Sequence, residues 1–395
     1  MSQAVKLVLK SGKEQSLMRL HPWIFSGAIK EITGNPSDGD LVEVFSNHGE
    51  YLATGHYQPG SIMVRILSFK QEEIDQTFWT KRIVEAWELR KRIGLACNPE
   101  TTVFRLVNGE GDFLPGLIID YYNGTAVLQA HSAGMYYQIE KIAKALKEIP
   151  GFQLNCIYNK SESSLPFKAG IGSKGEYIFG KPENKEVKEY NNTFRIDWVE
   201  GQKTGFYIDQ RESRKLVGEY SNGKKVLNMF CYTGGFSVYA LRSGAELVHS
   251  VDGSKQAIDL TKINIDLNFP GDNRHSAFVM DAFNFLDQNE QDYDLIILDP
   301  PAFAKHQNAL NNALQGYKKL NKKAIERINP GGIIFTFSCS QAVSRENFRK
   351  SVFTAAANTG RKVRILYQLS QPADHPVSIY HPEGEYLKGL VLEVE

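Results

Sequence analysis

Apolar and polar positions alternate in short bursts across residues 5–69, a period-two pattern that predicts β-strands. The bursts are Val5-Lys-Leu-Val-Leu9, Leu41-Val-Glu-Val-Phe45, Leu52-Ala-Thr-Gly-His-Tyr57 and Ile62-Met-Val-Arg-Ile-Leu67, with Gly, Pro, Asn and Asp turn signals between them. The period then changes. Over 71–95, Ile74, Phe78, Ile83, Trp87 and Leu89 recur among charges at helical spacing, and Gly94 with Cys97-Asn-Pro99 closes the helix. Between about 100 and 185, strands at Thr102–Val107 and Gly116–Asp120 flank the turn-rich Asn108–Asp112 segment. A strand at Ala126–Ala130 precedes a helix over 134–148, and strands near 154–159 and 175–180 complete a small α+β unit. Lys181-Pro-Glu-Asn-Lys-Glu186 reads as a solvated junction.

Beyond residue 190 strands and helices alternate, which predicts a doubly wound parallel sheet. Its strands are Lys225–Phe230, Leu247–Val251, Ser276–Met280, Leu295–Leu298 and Ile333–Phe337, with Val363–Leu369 and Leu387–Val394 as a closing antiparallel pair. The predicted fold class is therefore α/β: a Rossmann-like sheet at the C-terminus, preceded by a small all-β barrel and a small α+β domain. The expected boundaries are 1–73 for the all-β unit, 74–98 for a helical linker, 99–185 for the central domain and 186–395 for the α/β domain.

Composition narrows the class of protein. A chain of 395 residues exceeds one ordinary core, and 42% hydrophobic with 23% charged residues describes a soluble globular protein. No run of 18 apolar residues occurs, and Met1-Ser-Gln-Ala-Val-Lys6 lacks a signal-peptide core, so the expected location is the cytoplasm, with no membrane partner. Cys97, Cys156, Cys231 and Cys339 are scattered without CxxC spacing, which suits reduced thiols and argues against zinc or a disulfide framework. Lys and Arg total 46 against 45 Asp and Glu, so charge alone does not point to a nucleic acid.

The chemistry gathers at strand ends, where ligands collect in open parallel sheets. Val226-Leu-Asn228-Met-Phe230-Cys231-Tyr232-Thr233-Gly234-Gly235 is a strand, a glycine turn and a helix start. The next strand ends at Asp252-Gly-Ser254, with Asp252 placed 17 residues after Gly235, close to the offset at which a carboxylate holds ribose hydroxyls. The third ends at Asp281-Ala282-Phe283, an acid where an adenine edge can be read. Each acid taken singly reads as a helix cap; three successive strand ends favour an adenosine-type cofactor. With no lysine-bearing phosphate loop, S-adenosylmethionine is expected rather than ATP. Lys203–Arg211, with Phe206, Asp209 and Gln210, is expected to cover the methionine end.

Two further strand ends carry reactive groups. Asp299-Pro300-Pro301-Ala302-Phe303 presents a carboxylate on a loop stiffened by two prolines, followed by an aromatic able to stack on a base. Ser338-Cys339-Ser340 ends its strand in a lone thiol. A thiol and an acid facing a planar ring suit methylation of pyrimidine C5. That carbon is a poor nucleophile until a thiolate adds to C6, and an acid at N3 assists the addition. Cys231 is the rival thiol, and its place in the glycine turn suits packing or cofactor contact.

Taken together, the chain resembles the RlmI-type family of bacterial 23S rRNA (cytosine-5) methyltransferases over essentially its whole length. Arg19-Leu-His-Pro-Trp-Ile-Phe-Ser-Gly27 resembles that family's PUA domain, an RNA-binding barrel, and Gly111–Asp120 its central domain. Thr204–Arg211, Asn228–Phe236, Asp299–Phe303, Ser338–Ser340, Ala373–Pro376 and Glu383–Gly389 resemble its methyltransferase motifs. The resemblance implies S-adenosylmethionine on the 228–236 loop with Asp252 and Asp281, Asp299 at the base, Pro300 and Phe303 lining the base site, and Cys339 as nucleophile. It also implies large-subunit ribosomal RNA as partner, with a homodimer as a candidate assembly. Related RNA cytosine methyltransferases carry a second cysteine just after the Asp-Pro motif; here Pro301 and Ala302 fill that place. Two rivals stay open. Asp-Pro-Pro-aromatic is similar to the motif of exocyclic amino methyltransferases, and an RNA-binding assembly factor with a degenerate cofactor site needs no chemistry at all.

Overall fold

The alternation in the first 68 residues folds as a six-stranded sheet whose inward positions form a single apolar cluster. The structure is a computed structural model that describes residues 5–165, 171–172, 174–304 and 306–395. The strands are β1 (Val5–Leu9), β2 (Trp23–Phe25), β3 (Ile29–Thr33), β4 (Leu41–Phe45), β5 (Tyr51–Tyr57) and β6 (Ile62–Ser68), with a one-turn helix α1 (Gln15–Met18), in the order β2-β6-β5-β4-β1-β3. Alternate positions such as Leu7 and Leu9, and Val42 and Val44, are buried together with Ile24, Val64 and Ile66.

Helix α2 (Gln76–Arg92) follows, started by Asp75, whose carboxylate accepts from the Phe78 amide at 2.9 Å. Then come β7 (Val103–Asn108), β8 (Leu117–Tyr122), β9 (Thr125–Ala130), α3 (Ala133–Tyr136), α4 (Ile139–Lys147), β10 (Cys156–Asn159) and β11 (Glu176–Gly180), with sheet order β11-β10-β9-β8-β7. The helix expected as a linker lends Trp79, Ile83 and Trp87 to the same core as Leu106, Ile119, Leu128 and Ile157. Arg90 fixes it further. This guanidinium is fully buried and bridges both Asp112 oxygens at 2.5 and 2.8 Å, while also donating to the carbonyls of Arg105 and Asp374 at 2.7 Å each. All of these belong to one compact unit, Met1–Lys188 with Ile196–Ile208 and Ala373–Gly384.

The chain passes into the second unit within a short ribbon, β12 (Glu186–Glu189) and β13 (Asn192–Arg195), whose turn holds Tyr190 and Asn191 at φ 47° and 63°. The second unit comprises Glu189–Arg195, Asp209–Pro372 and Glu385–Glu395. Its elements are α5 (Arg211–Glu219), β14 (Lys225–Met229), α6 (Gly235–Arg242), β15 (Leu247–Asp252), α7 (Lys255–Asn268), β16 (His275–Val279), α8 (Ala282–Gln288), β17 (Tyr293–Leu298), α9 (Leu310–Arg327), β18 (Ile328–Ser338), α10 (Arg345–Ala357), β19 (Val363–Leu369) and β20 (Lys388–Val394). The sheet order is β16-β15-β14-β17-β18-β20-β19, with five parallel strands and an antiparallel closing pair, as the strand–helix alternation predicts. Strand β18 begins five residues before the expected Ile333, because the turn-like Asn329-Pro-Gly-Gly332 is absorbed in an irregularity opposite Tyr293–Leu295.

The Arg90–Asp112 pair makes a stability prediction. Replacing Asp112 with Ala strands a buried guanidinium, and should destabilise the first unit by about 3–5 kcal/mol. Urea unfolding followed by tryptophan fluorescence checks it; a loss under about 1 kcal/mol would show the pair to be dispensable.

Candidate active site at the strand ends of the second unit

The end of β14 is a strained loop. Phe230, Tyr232 and Gly234 hold φ of 58°, 46° and 78°, and a left-handed conformation costs a residue with a Cβ roughly 1–2 kcal/mol. Hydrogen bonds hold it there. The Cys231 amide donates to the Val251 carbonyl (3.0 Å), the Tyr232 amide to Asp252 Oδ2 (3.0 Å) and the Gly234 amide to the Cys231 carbonyl (2.8 Å). From α7, Thr261 Oγ1 donates to the Tyr232 carbonyl at 2.8 Å and Asn264 Nδ2 to the Thr233 carbonyl at 2.9 Å. Gly234 is required twice over, since a Cβ there would also meet Thr261 Cγ2 at 2.7 Å. The Gly235 Cβ would meet Arg214 Cδ at 2.9 Å, so close packing, as well as ligand approach, accounts for the glycines. Cys231 is buried, and burial, with the Asp252 carboxylate adding to it, pushes its thiol up to about 12. As a nucleophile it is a poor rival to Cys339.

The next two acids partly follow the bland reading. Asp252 Oδ1 accepts from the Ser254 amide at 2.9 Å, and Ser254 itself caps α7. Asp281 is exposed and caps α8, its Oδ1 accepting from the amides of Phe283 and Asn284 at 3.0 and 3.1 Å. Ala282, beside it, is buried. A carboxylate has about four acceptor sites, so neither role prevents further bonds to ribose or adenine.

At the end of β17 the carboxyl of Asp299 accepts from Gln210 Nε2 at 3.1 Å. Burial, reinforced by the neighbouring Asp209 carboxylate, pushes Asp299 up to about 7; the Gln210 bond and the Arg214 charge oppose the rise. Asp209 Oδ2 accepts from the Tyr386 hydroxyl at 2.7 Å, while its buried Oδ1 has no partner among the described residues. Gln210 Oε1 and Asn228 Oδ1 are likewise buried acceptors without partners among the described residues. Unpaired buried acceptors are costly, and three of them, on the turn before α5 and on β14, suit a ligand rich in donors. An ammonium and ribose hydroxyls, as in S-adenosylmethionine, would satisfy them.

Cys339 ends β18 partly exposed, between two serines that are both engaged. Ser338 Oγ donates to the Tyr317 hydroxyl at 2.9 Å. Ser340 Oγ donates to the Ala304 carbonyl at 2.9 Å and accepts from its amide at 3.1 Å. Ser340 thereby ties the Asp-Pro-Pro-Ala-Phe loop to the cysteine turn. Pro300 is buried, and the partly buried Phe303 lies 4.7 Å from the Tyr317 ring, close against Gly316. Phe303 thus has a packing partner of its own, whatever it does for a base.

The second unit therefore brings together Asp209, Gln210, Asn228, the 230–235 loop, Asp252, Asp299 and Cys339. Phe206 is counted in the first unit, where it is buried. Sequence reasoning missed Tyr317 and the buried Glu189, which pairs with Arg214 at 2.7 Å, and read Tyr386 and Lys388 only as part of the Glu383–Gly389 motif. Tyr317 and Glu189 are distant in sequence from the motifs they support, and no spacing rule would have flagged them.

A doubly wound sheet of this order, with a glycine turn after its first strand and an acid after its second, defines a nucleoside-cofactor methyltransferase. The family profile described as S-adenosylmethionine-dependent methyltransferase matches residues 153–378, and that of a PUA-like domain matches 7–69. Proteins named ribosomal RNA large subunit methyltransferase I are similar throughout. That of Tolumonas auensis is 40% identical, covering 97% of this chain and 98% of its own, and that of Aeromonas hydrophila is 41% identical, covering 99% of each. Among solved structures, a SAM-dependent methyltransferase from Streptococcus mutans superposes with a TM-score of 0.84 at 24% identity, covering 98% of this chain and 100% of that one. A methyltransferase complexed with SAH gives 0.85 at 24% identity, with the same coverage. The chain belongs to the S-adenosylmethionine-dependent methyltransferases and, among them, to the ribosomal RNA large subunit methyltransferase I family.

The raised Asp299 acid makes a prediction whose sign is fixed by linkage. Between the unfolded value of 3.8 and about 7, the folded state binds a proton that the unfolded state does not, so stability falls as pH rises through that window. Asp299→Asn removes this burden. The variant should melt at a higher temperature than the parent at pH 8, by about 2 kcal/mol or more in stability, and show a much smaller gain at pH 4. Calorimetry at the two pH values tests it, and an equal shift at both would refute the raised acid.

Proposed function

We propose that this protein methylates C5 of a cytosine in large-subunit ribosomal RNA, with Cys339 as the nucleophile and Asp299 as the acid at N3. The observation that carries this reading is the pairing of a partly exposed thiol with a carboxyl held near neutrality, on adjacent parallel strands of one sheet. A carboxyl of about 7 is protonated often enough at physiological pH to donate to N3, which an ordinary aspartate is not.

In this mechanism S-adenosylmethionine, when bound, supplies a methyl group on a sulfonium. Asp252 and Ser254 would hold its ribose, Asp281 and Ala282 the adenine, and the Phe230, Tyr232, Thr233, Gly234 and Gly235 turn the space between. The unpaired oxygens of Asp209, Gln210 and Asn228 would take its amino end and hydroxyls. Asp299 donates its proton towards N3 while the Cys339 thiolate adds to C6, forming a carbon–sulfur bond and an electron-rich C5. After C5 is methylated its proton passes to water, the proton on N3 returns to Asp299, and the carbon–sulfur bond breaks, returning the electron pair to sulfur. The PUA-like domain would bind the RNA. The location expected for this work is the cytoplasm; no helix among the described residues is long and apolar enough to cross a membrane. No step requires a second copy of the chain, so a homodimer would be incidental to the chemistry.

The Asp-Pro-Pro-Phe sequence supports a second reading, methylation of an exocyclic amino group, in which the thiol is idle. One experiment separates them. Cys339→Ala should retain S-adenosylmethionine binding by calorimetry yet lose at least about a thousandfold in methylation of ribosomal RNA. RNA carrying 5-fluorocytosine should trap the parent protein, but not the variant, as a covalent band on a denaturing gel. Turnover retained in the variant would transfer the assignment to the amino-group reaction.

A further inference from the structure

Cys339 must lose a proton before it can attack, and an ordinary thiol, with a value of roughly 8.5, is mostly protonated at neutral pH. The side chain best placed to take that proton arrives from the neighbouring antiparallel strand. Lys388 opens β20, which runs antiparallel to β18 in a register that sets Lys388 opposite Ser338, one residue before the cysteine. It is 5% exposed, and its Nζ donates to the carbonyl of Ser340, one residue after the cysteine, at 2.6 Å. The amine thus spans the turn whose middle residue is Cys339. Its surroundings hold few charges. The groups acting on it are Cys339 and, from the start of α10, Arg345; Tyr317 on α9 acts on Cys339 from the other side.

Building on the C5 reading, we infer that Lys388 is the proton partner of Cys339. The S–H bond breaks, an N–H bond forms, and a thiolate–ammonium pair is left at the end of β18. When the carbon–sulfur bond breaks at the close of the cycle, the electron pair returns to sulfur and the pair is restored. Burial serves this role by depressing the amine to about 8, which brings it close to a thiol's own range, while the Cys339 charge pulls the other way. An ammonium at an ordinary 10.5 could stabilise a thiolate but would scarcely ever be free to accept its proton. Lys388 acts through Cys339 and is a positioning residue in this sense; it needs no contact with the base. The Ser340 carbonyl orients it, and Arg345 keeps its charge from becoming too favourable.

The test reads the pair directly. In the full-length protein without RNA, the rate of Cys339 alkylation by iodoacetamide is followed from pH 6 to 10, with the modified peptide quantified by mass spectrometry. The parent should show a midpoint below that of an ordinary thiol. Lys388→Met should move it up by about one unit, slowing alkylation at pH 7 about tenfold. A reciprocal measurement avoids any folding defect in the lysine variant. Acylation of Lys388 by acetic anhydride should show a lower midpoint in Cys339→Ala than in the parent, because the thiolate no longer supports the ammonium. Unchanged profiles in both directions would overturn the pairing. Neither assay uses a methyl acceptor, so a failure of the C5 reading leaves it standing. Flat profiles together with intact cytosine methylation would remove the lysine alone.

Discussion

The site depends on the register of three parallel strands. Met229 on β14 pairs with Leu298 on β17, and Leu298 pairs with Thr336 on β18, so the three strands end within a few residues of one another. A parallel sheet buries both faces, and its apolar interior fixes register because a slip of one residue would turn every buried side chain to the wrong face. Leu295–Leu298 are all fully buried, as are Ile334, Phe335 and Phe337. The packing that stabilises the sheet therefore also sets where the Asp299 carboxyl and the Cys339 thiol emerge.

What these strands deliver is costly to keep. The desolvated Asp299 beside Asp209, the left-handed Phe230 and Tyr232, and the unpaired acceptors on Asp209, Gln210 and Asn228 all act against folding. They lie in the second unit, where other buried charges are paired. Glu189 is held by Arg214 with two bonds of 2.7 and 2.8 Å, as Arg90 is by Asp112 in the first unit. Strain and unpaired acceptors that meet reactive strand ends suit a surface shaped for a ligand.

Much of this was legible in the chain. Each of the seven strands of the second sheet carries its own apolar run, and Asp299 and Cys339 stood out because a reactive group closes a buried strand. The ribbon at Tyr190–Asn191 did not, since its turn lacks the usual Asn-Gly pair and its strands are charged. The role of α2 was hidden as well. Periodicity marks an apolar face but not the surface it meets, and Arg90, buried among backbone carbonyls, looks in sequence like any helix-terminal cation. Lys388 was read only as part of a motif. Its partner Ser340 lies 48 residues away, and a pairing across antiparallel strands leaves no local trace.

The order of strands in that sheet has a further consequence for biosynthesis. β20 lies between β18 and β19 although it follows both in the chain, so it must thread into a slot flanked by strands already made. A polypeptide leaving the ribosome with its thiol, carboxyl and glycine turn complete would still lack the strand that carries Lys388. It would also lack Tyr386, which holds Asp209. Until that insertion, β18 presents an open edge, and the nascent protein holds its reactive groups without the side chains that position them. That side of the sheet is complete only once β20 has entered between β18 and β19.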